Sequence, residues 1–218
     1  GREAEIIQRL TKLNTGPFPS EAIRSVYREI MSASLSLEAP QKVAYLGPRA
    51  TFTHMACMQK FGSSVQYVPV QSIKEVFSEV ERGRANFGVV PIENTTAGSI
   101  NETYDLLGEG GLTITGEVIA AIEHCLLALP GTAVAELAAA LSHPQALAQC
   151  EGFFRAHPHI RAQAEFDTAG AARKVRELGD RRLGAIASFA AASTYGLEVL
   201  ARGIQTQAGN STRFVEVG

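Results

Sequence analysis

The sequence predicts an α/β fold in two lobes, preceded by a short all-helical segment. Three observations predict it. From Lys42 onward, short apolar runs alternate with stretches of helical apolar spacing, which is how strands and helices alternate in a largely parallel sheet. About nine such strands are too many for one small sheet, so two lobes are expected. The first forty residues show only the helical period.

In that first segment, Ile6, Ile7, Leu10 and Leu13 share one helix face. Asn14-Thr15-Gly16-Pro17 stops the helix. A second helix should follow Pro19, capped by Ser20. Its apolar stripe is Ile23, Val26, Tyr27, Ile30, Met31 and Leu35, and Pro40 ends it. Two helices cannot enclose a core, so this hairpin needs a partner: another chain or the domain that follows. Beyond it the spacing predicts strands at 43–46, 65–70, 87–90, 112–122, 125–129, 141–142, 163–166, 184–187 and 214–217. Helices are expected at 52–61, 73–82, 100–107, 134–140, 145–157, 168–178 and 188–195.

Composition narrows the function. The 218 residues are 45% hydrophobic and 19% charged, which favours a packed core over disorder. A net charge of −2 with scattered Lys and Arg disfavours nucleic acid as a partner. The longest apolar stretch, 118–130, is interrupted by Glu123 and His124, so no membrane span is expected. The N-terminus has no signal-peptide pattern. Cys57, Cys125 and Cys150 form no CxxC or zinc spacing and read as buried thiols of a reducing compartment. These features predict a cytoplasmic protein. No nucleotide, phosphate-loop, metalloprotease or nucleophile-elbow motif is present, so neither cofactor nor metal is expected.

Four strand ends lead through small polar residues into helix starts: 46–52, 90–99, 141–145 and 186–188. In open α/β sheets ligands bind beyond the carboxyl ends of strands, where helix N-termini offer unpaired N–H groups. The pattern suits a small polar anion held by neutral donors, and it equally suits four ordinary helix caps. Arg213 opens a strand beside Asn210, Ser211 and Thr212; a solvated surface turn fits as well. No histidine has a Cys or Asp partner at a spacing that marks a nucleophile–base pair.

The blocks Val43-Ala44-Tyr45-Leu46-Gly47-Pro48 with Thr51-Phe52, Val90-Pro91-Ile92-Glu93-Asn94-Thr95-Thr96-Ala97-Gly98-Ser99, Ser142-His143-Pro144-Gln145-Ala146-Leu147-Ala148-Gln149-Cys150 and Asn210-Ser211-Thr212-Arg213-Phe214 occur in that order. With them, 42–218 resembles the prephenate dehydratase family. The family pattern carries Gly where this chain has Ala50, and Ser where it has Thr95. Residues 1–39 resemble the C-terminal part of a chorismate mutase domain, with Arg2, Glu3, Ser34 and Glu38 on that domain's site positions. The long first mutase helix with its arginines and the phenylalanine-sensing ACT domain have no counterpart in this sequence. Neither mutase activity nor inhibition by phenylalanine is therefore expected from it.

The resemblance implies a fold like type II periplasmic binding proteins, with a central cleft. One lobe would hold about 42–114 and 204–218, the other about 115–203. It implies loss of carbon dioxide and water from prephenate to give phenylpyruvate; arogenate dehydratase, or a non-catalytic anion-binding module of the same fold, are the alternatives. Thr212 would donate the proton to the departing hydroxyl, and Asn94, Ser142 and Gln149 would share in catalysis. Thr51, Thr95 and Ser99 would hold carboxylates at helix starts, with Arg213 and Phe214 also binding substrate. A homo-oligomer, dimer or tetramer, is expected.

Overall fold

The computed structural model describes residues 2–38 and 40–218. Helix α1 spans Arg2–Leu13 and α2 spans Ser20–Glu38. The cap lies one residue earlier than expected: the Pro19 carbonyl accepts from the Ala22 and Ile23 N–H groups at 3.0 and 3.3 Å, so Ser20 is already helical. The hairpin finds its partner in the same chain. Glu29 accepts from the Ser63 N–H at 3.1 Å and its hydroxyl at 2.5 Å, and Ser32 Oγ accepts from the Ser64 N–H at 3.3 Å. Ile23 and Ser32 are buried, while Leu13, Phe18, Val26 and Ile30 stay exposed.

The first lobe then follows as β1 (Lys42–Leu46), α3 (Phe52–Phe61), β2 (Gln66–Val70), α4 (Ile73–Glu81), β3 (Phe87–Asn94), β4 (Gly98–Ser99), α5 (Asn101–Gly108) and β5 (Ile114–Ala121). The second lobe holds β6 (Cys125–Ala128), β7 (Ala139–Ser142), α6 (Pro144–Gln149), α7 (Glu151–Ala156) and β8 (Arg161–Ala164). It continues with α8 (Thr168–Leu178), β9 (Leu183–Ala187), α9 (Phe189–Tyr195) and β10 (Glu198–Ala201). Strand β11 (Ser211–Val217) returns to the first sheet. The sheet orders are β2-β1-β3-β11-β5, with β4 on β3, and β10-β6-β9-β7-β8.

The sheets are mixed, not largely parallel. β1 runs parallel to β2 and β3, and β7 to β8 and β9, because helices carry the chain back between them. β11 arrives from the other lobe with no crossover helix, and it lies antiparallel between β3 and β5. The lobe boundary also moves. β5 belongs to the first sheet through Ala121, so the first crossing lies at 122–124 rather than near 115, and the return crossing lies between Ala201 and Ser211.

Several elements differ from the expected ones. The stretch 134–140 holds one 3₁₀ turn, Val134–Glu136, and then β7, whose four residues are all buried between β8 and β9. The helix expected over 145–157 breaks at Cys150. Strand β8 lies two residues earlier than expected, and β4 and β10 were not anticipated. β3 runs on through Pro91-Ile92-Glu93-Asn94, and β11 starts at Ser211, because each supplies the other's partner out to Thr212 opposite Asn94.

Alternation along the strands builds the core on both faces of the first sheet. Val43, Tyr45, Val89 and Phe214 pack toward Ala56 and Cys57 of α3. Ala44, Val90 and Val215 pack toward Val76 and Phe77 of α4. Ala50, between β1 and α3, instead joins the core of the second lobe with Leu141, Ala187 and Ala191.

Candidate active site

The two sheets face each other across a cleft of about 270 Å³. Its walls are the carboxyl ends of β1 and β3, the start of β11, the crossing at 122–124, and the starts of α3, α6 and α8. It is at the small end of ligand-sized pockets, and its surface is mainly apolar. Among the described residues no Lys or Arg lines it. Any anion there would be held by hydroxyls, amides and helix-start N–H groups.

One hydrogen-bonded cluster joins the two lobes at this cleft. The Asn94 carbonyl oxygen accepts from the Thr96 N–H at 3.0 Å, the Ala97 N–H at 2.9 Å and the Thr96 hydroxyl at 2.7 Å. Its Nδ2 donates to Thr212 Oγ1 at 2.8 Å, Asn210 Oδ1 at 3.0 Å and the Ser211 carbonyl at 3.1 Å. Gln149, from the second lobe, donates to Thr96 Oγ1 at 2.6 Å and accepts from Asn210 Nδ2 at 3.1 Å. Thr212 is buried at the cleft wall. Its oxygen is occupied by Asn94, and among the described residues no acceptor takes its proton.

The remaining expected residues divide. Thr51 lines the cleft, but its hydroxyl closes the turn below Leu46 and Pro48 and caps α3 at the His54 N–H. Phe214 lines the cleft, two residues along β11 from Thr212 and on the same face. Ser142 does not reach it: it is fully buried and donates to the Ile186 carbonyl at 2.6 Å, within its own sheet. Arg213 points elsewhere and donates to Glu117 Oε2 at 2.8 Å on the exposed edge of β5. Thr95 is spent on Ser211, whose N–H it accepts at 3.0 Å, and Ser99 is exposed on β4; neither lines the cleft. Ser34 donates to its own helix at the Ile30 carbonyl, 2.8 Å away. The side chains of Arg2, Glu3 and Glu38 lie outside the described residues.

Three site residues escaped the sequence reading. Thr96 and Asn210 lay inside quoted motifs without an assigned role. His124 read as a bland member of an apolar run. It is buried, lines the cleft, stacks edge-on against Phe52 and places Nε2 2.7 Å from Gln149 Oε1. Burial holds its imidazole below the ordinary pKa, against a smaller opposing effect of the Gln149 hydrogen bond. The Glu123-His124 pair interrupting the apolar run 118–130 was the available signal. The three thiols are buried and free, and burial pushes each pKa up, so none is a ready nucleophile. Among the described residues no group of three or more His, Cys, Asp or Glu could hold a metal ion.

Residues 43–218 match the family model for prephenate dehydratase. The chain belongs to the prephenate dehydratase family. Residues 1–39 match the model for chorismate mutase type II. A bifunctional chorismate mutase/prephenate dehydratase from Aquifex aeolicus is 44% identical over 99% of this chain and 60% of its own length. The chain thus spans about three fifths of that relative. Arogenate dehydratase 2 from Petunia hybrida is 43% identical over 86% of this chain and 48% of its own. The solved prephenate dehydratase from Arthrobacter aurescens, in complex with L-Phe, is 30% identical. It superposes with a TM-score of 0.75 over 81% of this chain and 60% of that one. No described helix of this prephenate dehydratase family member is long and apolar enough to cross a membrane.

Proposed function

We propose that residues 42–218 convert prephenate to phenylpyruvate, carbon dioxide and water. The observation that carries this reading is Thr212: a buried hydroxyl at the cleft wall whose oxygen accepts from Asn94 and whose proton has no acceptor among the described residues. Thr212 Oγ–H gives its proton to the ring hydroxyl as the carbon–oxygen bond breaks. The electrons of the ring carbon–carboxylate bond move into the ring, which becomes aromatic as carbon dioxide and water leave. Thr212 regains a proton from solvent, one per turnover. A free threonine is far too weak an acid to do this alone. The Asn94 amide donating to its oxygen eases the charge that builds there during transfer. The apolar cleft disfavours a localised ring carboxylate and so favours its loss. Helix-start N–H groups of α3 are the proposed holders of a substrate carboxylate. Gln149 closes the site from the second lobe.

Arogenate, which carries an ammonium where prephenate carries a ketone, is the second reading. The carboxylate of Asp167 at the cleft wall favours it, although one of its oxygens caps α8 at the Gly170 N–H, 2.6 Å away. The deciding experiment offers both substrates to the wild type and to Thr212→Ala and follows phenylpyruvate and phenylalanine. The expected result is phenylpyruvate from prephenate, lowered on the order of 10²–10⁴-fold in the variant with folding intact. Preference for arogenate would install the second reading. Equal turnover in both proteins would move the proton donor elsewhere, and binding without turnover would leave an anion-binding module. The same reading makes the protein cytoplasmic and a homo-oligomer, dimer or tetramer. The exposed apolar residues of the hairpin support self-association, which light scattering would measure.

A further inference from the structure

The polarity of the cleft cluster follows from three backbone groups. Backbone N–H groups can only donate, so Asn94 must turn its oxygen to Thr96 and Ala97. Its Nδ2 then faces the Ser211 carbonyl, which can only accept. Asn210 must meet that Nδ2 with its own oxygen, which turns its Nδ2 toward Gln149. Gln149 answers with Oε1, so its Nε2 donates to the Thr96 hydroxyl, and that hydroxyl donates back to Asn94 Oδ1. The ring of four side chains closes, each link running from a donor to an acceptor.

His124 meets this ring from outside. Its Nε2 lies 2.7 Å from Gln149 Oε1, an oxygen the ring has fixed as an acceptor. Nε2 must therefore carry the proton. Nδ1 is then a bare acceptor, buried and without a partner among the described residues. A buried polar atom left unpaired is costly, so the placement calls for a compensating role.

We propose that His124 is a positioning residue for the dehydratase reaction: as the Nε2–H tautomer it clamps Gln149 across the cleft and so fixes the ring around Asn94 and Thr212. His124 lies on the crossing between the lobes, Gln149 on the second lobe, and Thr96 and Asn210 with the first. With both lone-pair positions of Gln149 Oε1 filled, the amide cannot turn over without leaving a donor facing a donor. Without His124 the amide is free to rotate, Thr96 loses its donor, and the two halves of the site are no longer held in register. The inference rests on the dehydratase reading for its effect on turnover, and on geometry alone for the tautomer.

The test compares His124→Gln, whose amide N–H falls near the position of Nε2, with His124→Leu, which has no donor. His124→Leu is expected to lose roughly 10–10²-fold in kcat with KM changed by less than about threefold. A misplaced reacting group costs rate rather than ground-state binding. His124→Gln is expected to return to within about threefold of wild type. Leucine as active as wild type, or glutamine as impaired as a comparably folded leucine variant, would overturn the proposal. Imidazole ¹⁵N NMR of the wild type supplies a readout independent of turnover: Nε2 protonated and Nδ1 bare supports the clamp, and the reverse tautomer overturns it. A wild type inactive on both substrates would sink the dehydratase reading, and the NMR result would still decide the clamp.

Discussion

At the scale of the residue, Ala50 is the only described non-glycine residue with positive φ, at 66°. That region costs a side chain roughly 1–2 kcal/mol. The conformation is held from both sides: Ala50 N–H donates to His54 Nδ1 at 3.2 Å, and its carbonyl accepts from Ser188 Oγ at 2.7 Å. The methyl itself is buried in the second lobe's core, worth about 0.8 kcal/mol. Ala50→Gly therefore relieves one term and loses the other, and urea denaturation should place it within about 1 kcal/mol of wild type. Ala50→Val adds a β-branched group at positive φ and should cost at least about 2 kcal/mol. His54 and His124 carry a pH dependence. Burial lowers both imidazole pKa values from 6.5. The unfolded chain then binds more protons than the native one below 6.5. The stability is present above that value and lost as pH falls through the folded values. Urea midpoints should drop between neutral pH and about pH 5, and His54→Asn should remove part of the slope. A midpoint indifferent to that range would contradict the burial of both rings.

At the scale of the element, β3 and α4 approach each other because residue 88 has no side chain. A Cβ there would stand 2.6 Å from Val76 Cγ1 and 2.9 Å from Val217 Cγ2. Gly88→Ala should cost about 1–3 kcal/mol, and Val76→Ala in the same chain should recover part of it. A neutral Gly88→Ala would mean that α4 shifts freely. Elements such as β1, α3, α4, α8 and β9 were legible in the sequence, since each pairs a clear period with a turn or cap beside it. β10 and the ends of β3 and β11 were not, because a partner distant in sequence decides them. Thr212 opposite Asn94 is a pairing that no spacing encodes. The motif blocks therefore named Asn94, Gln149 and Thr212, but not their contacts. Ser142 and Arg213 show the complementary point: a polar residue in a motif can also serve its own sheet, and these two bond to Ile186 and Glu117.

At the scale of the whole molecule, the lobes are joined by two crossings and a few polar contacts. Ser188 bonds to Ala50, Tyr195 to Arg49, and Gln149 to Thr96 and Asn210. The Gln149 contacts are the ones at the cleft, which couples closure of the lobes to the site. The second sheet is built from one continuous stretch of chain, whereas the first needs β11 in its middle, between β3 and β5. On a ribosome, the second lobe can mature while the first still waits with an open seam between two strands. Thr212 rides in on the strand that fills this seam. A nascent chain thus acquires Thr212, the proposed acid group, in the same event that closes the first sheet.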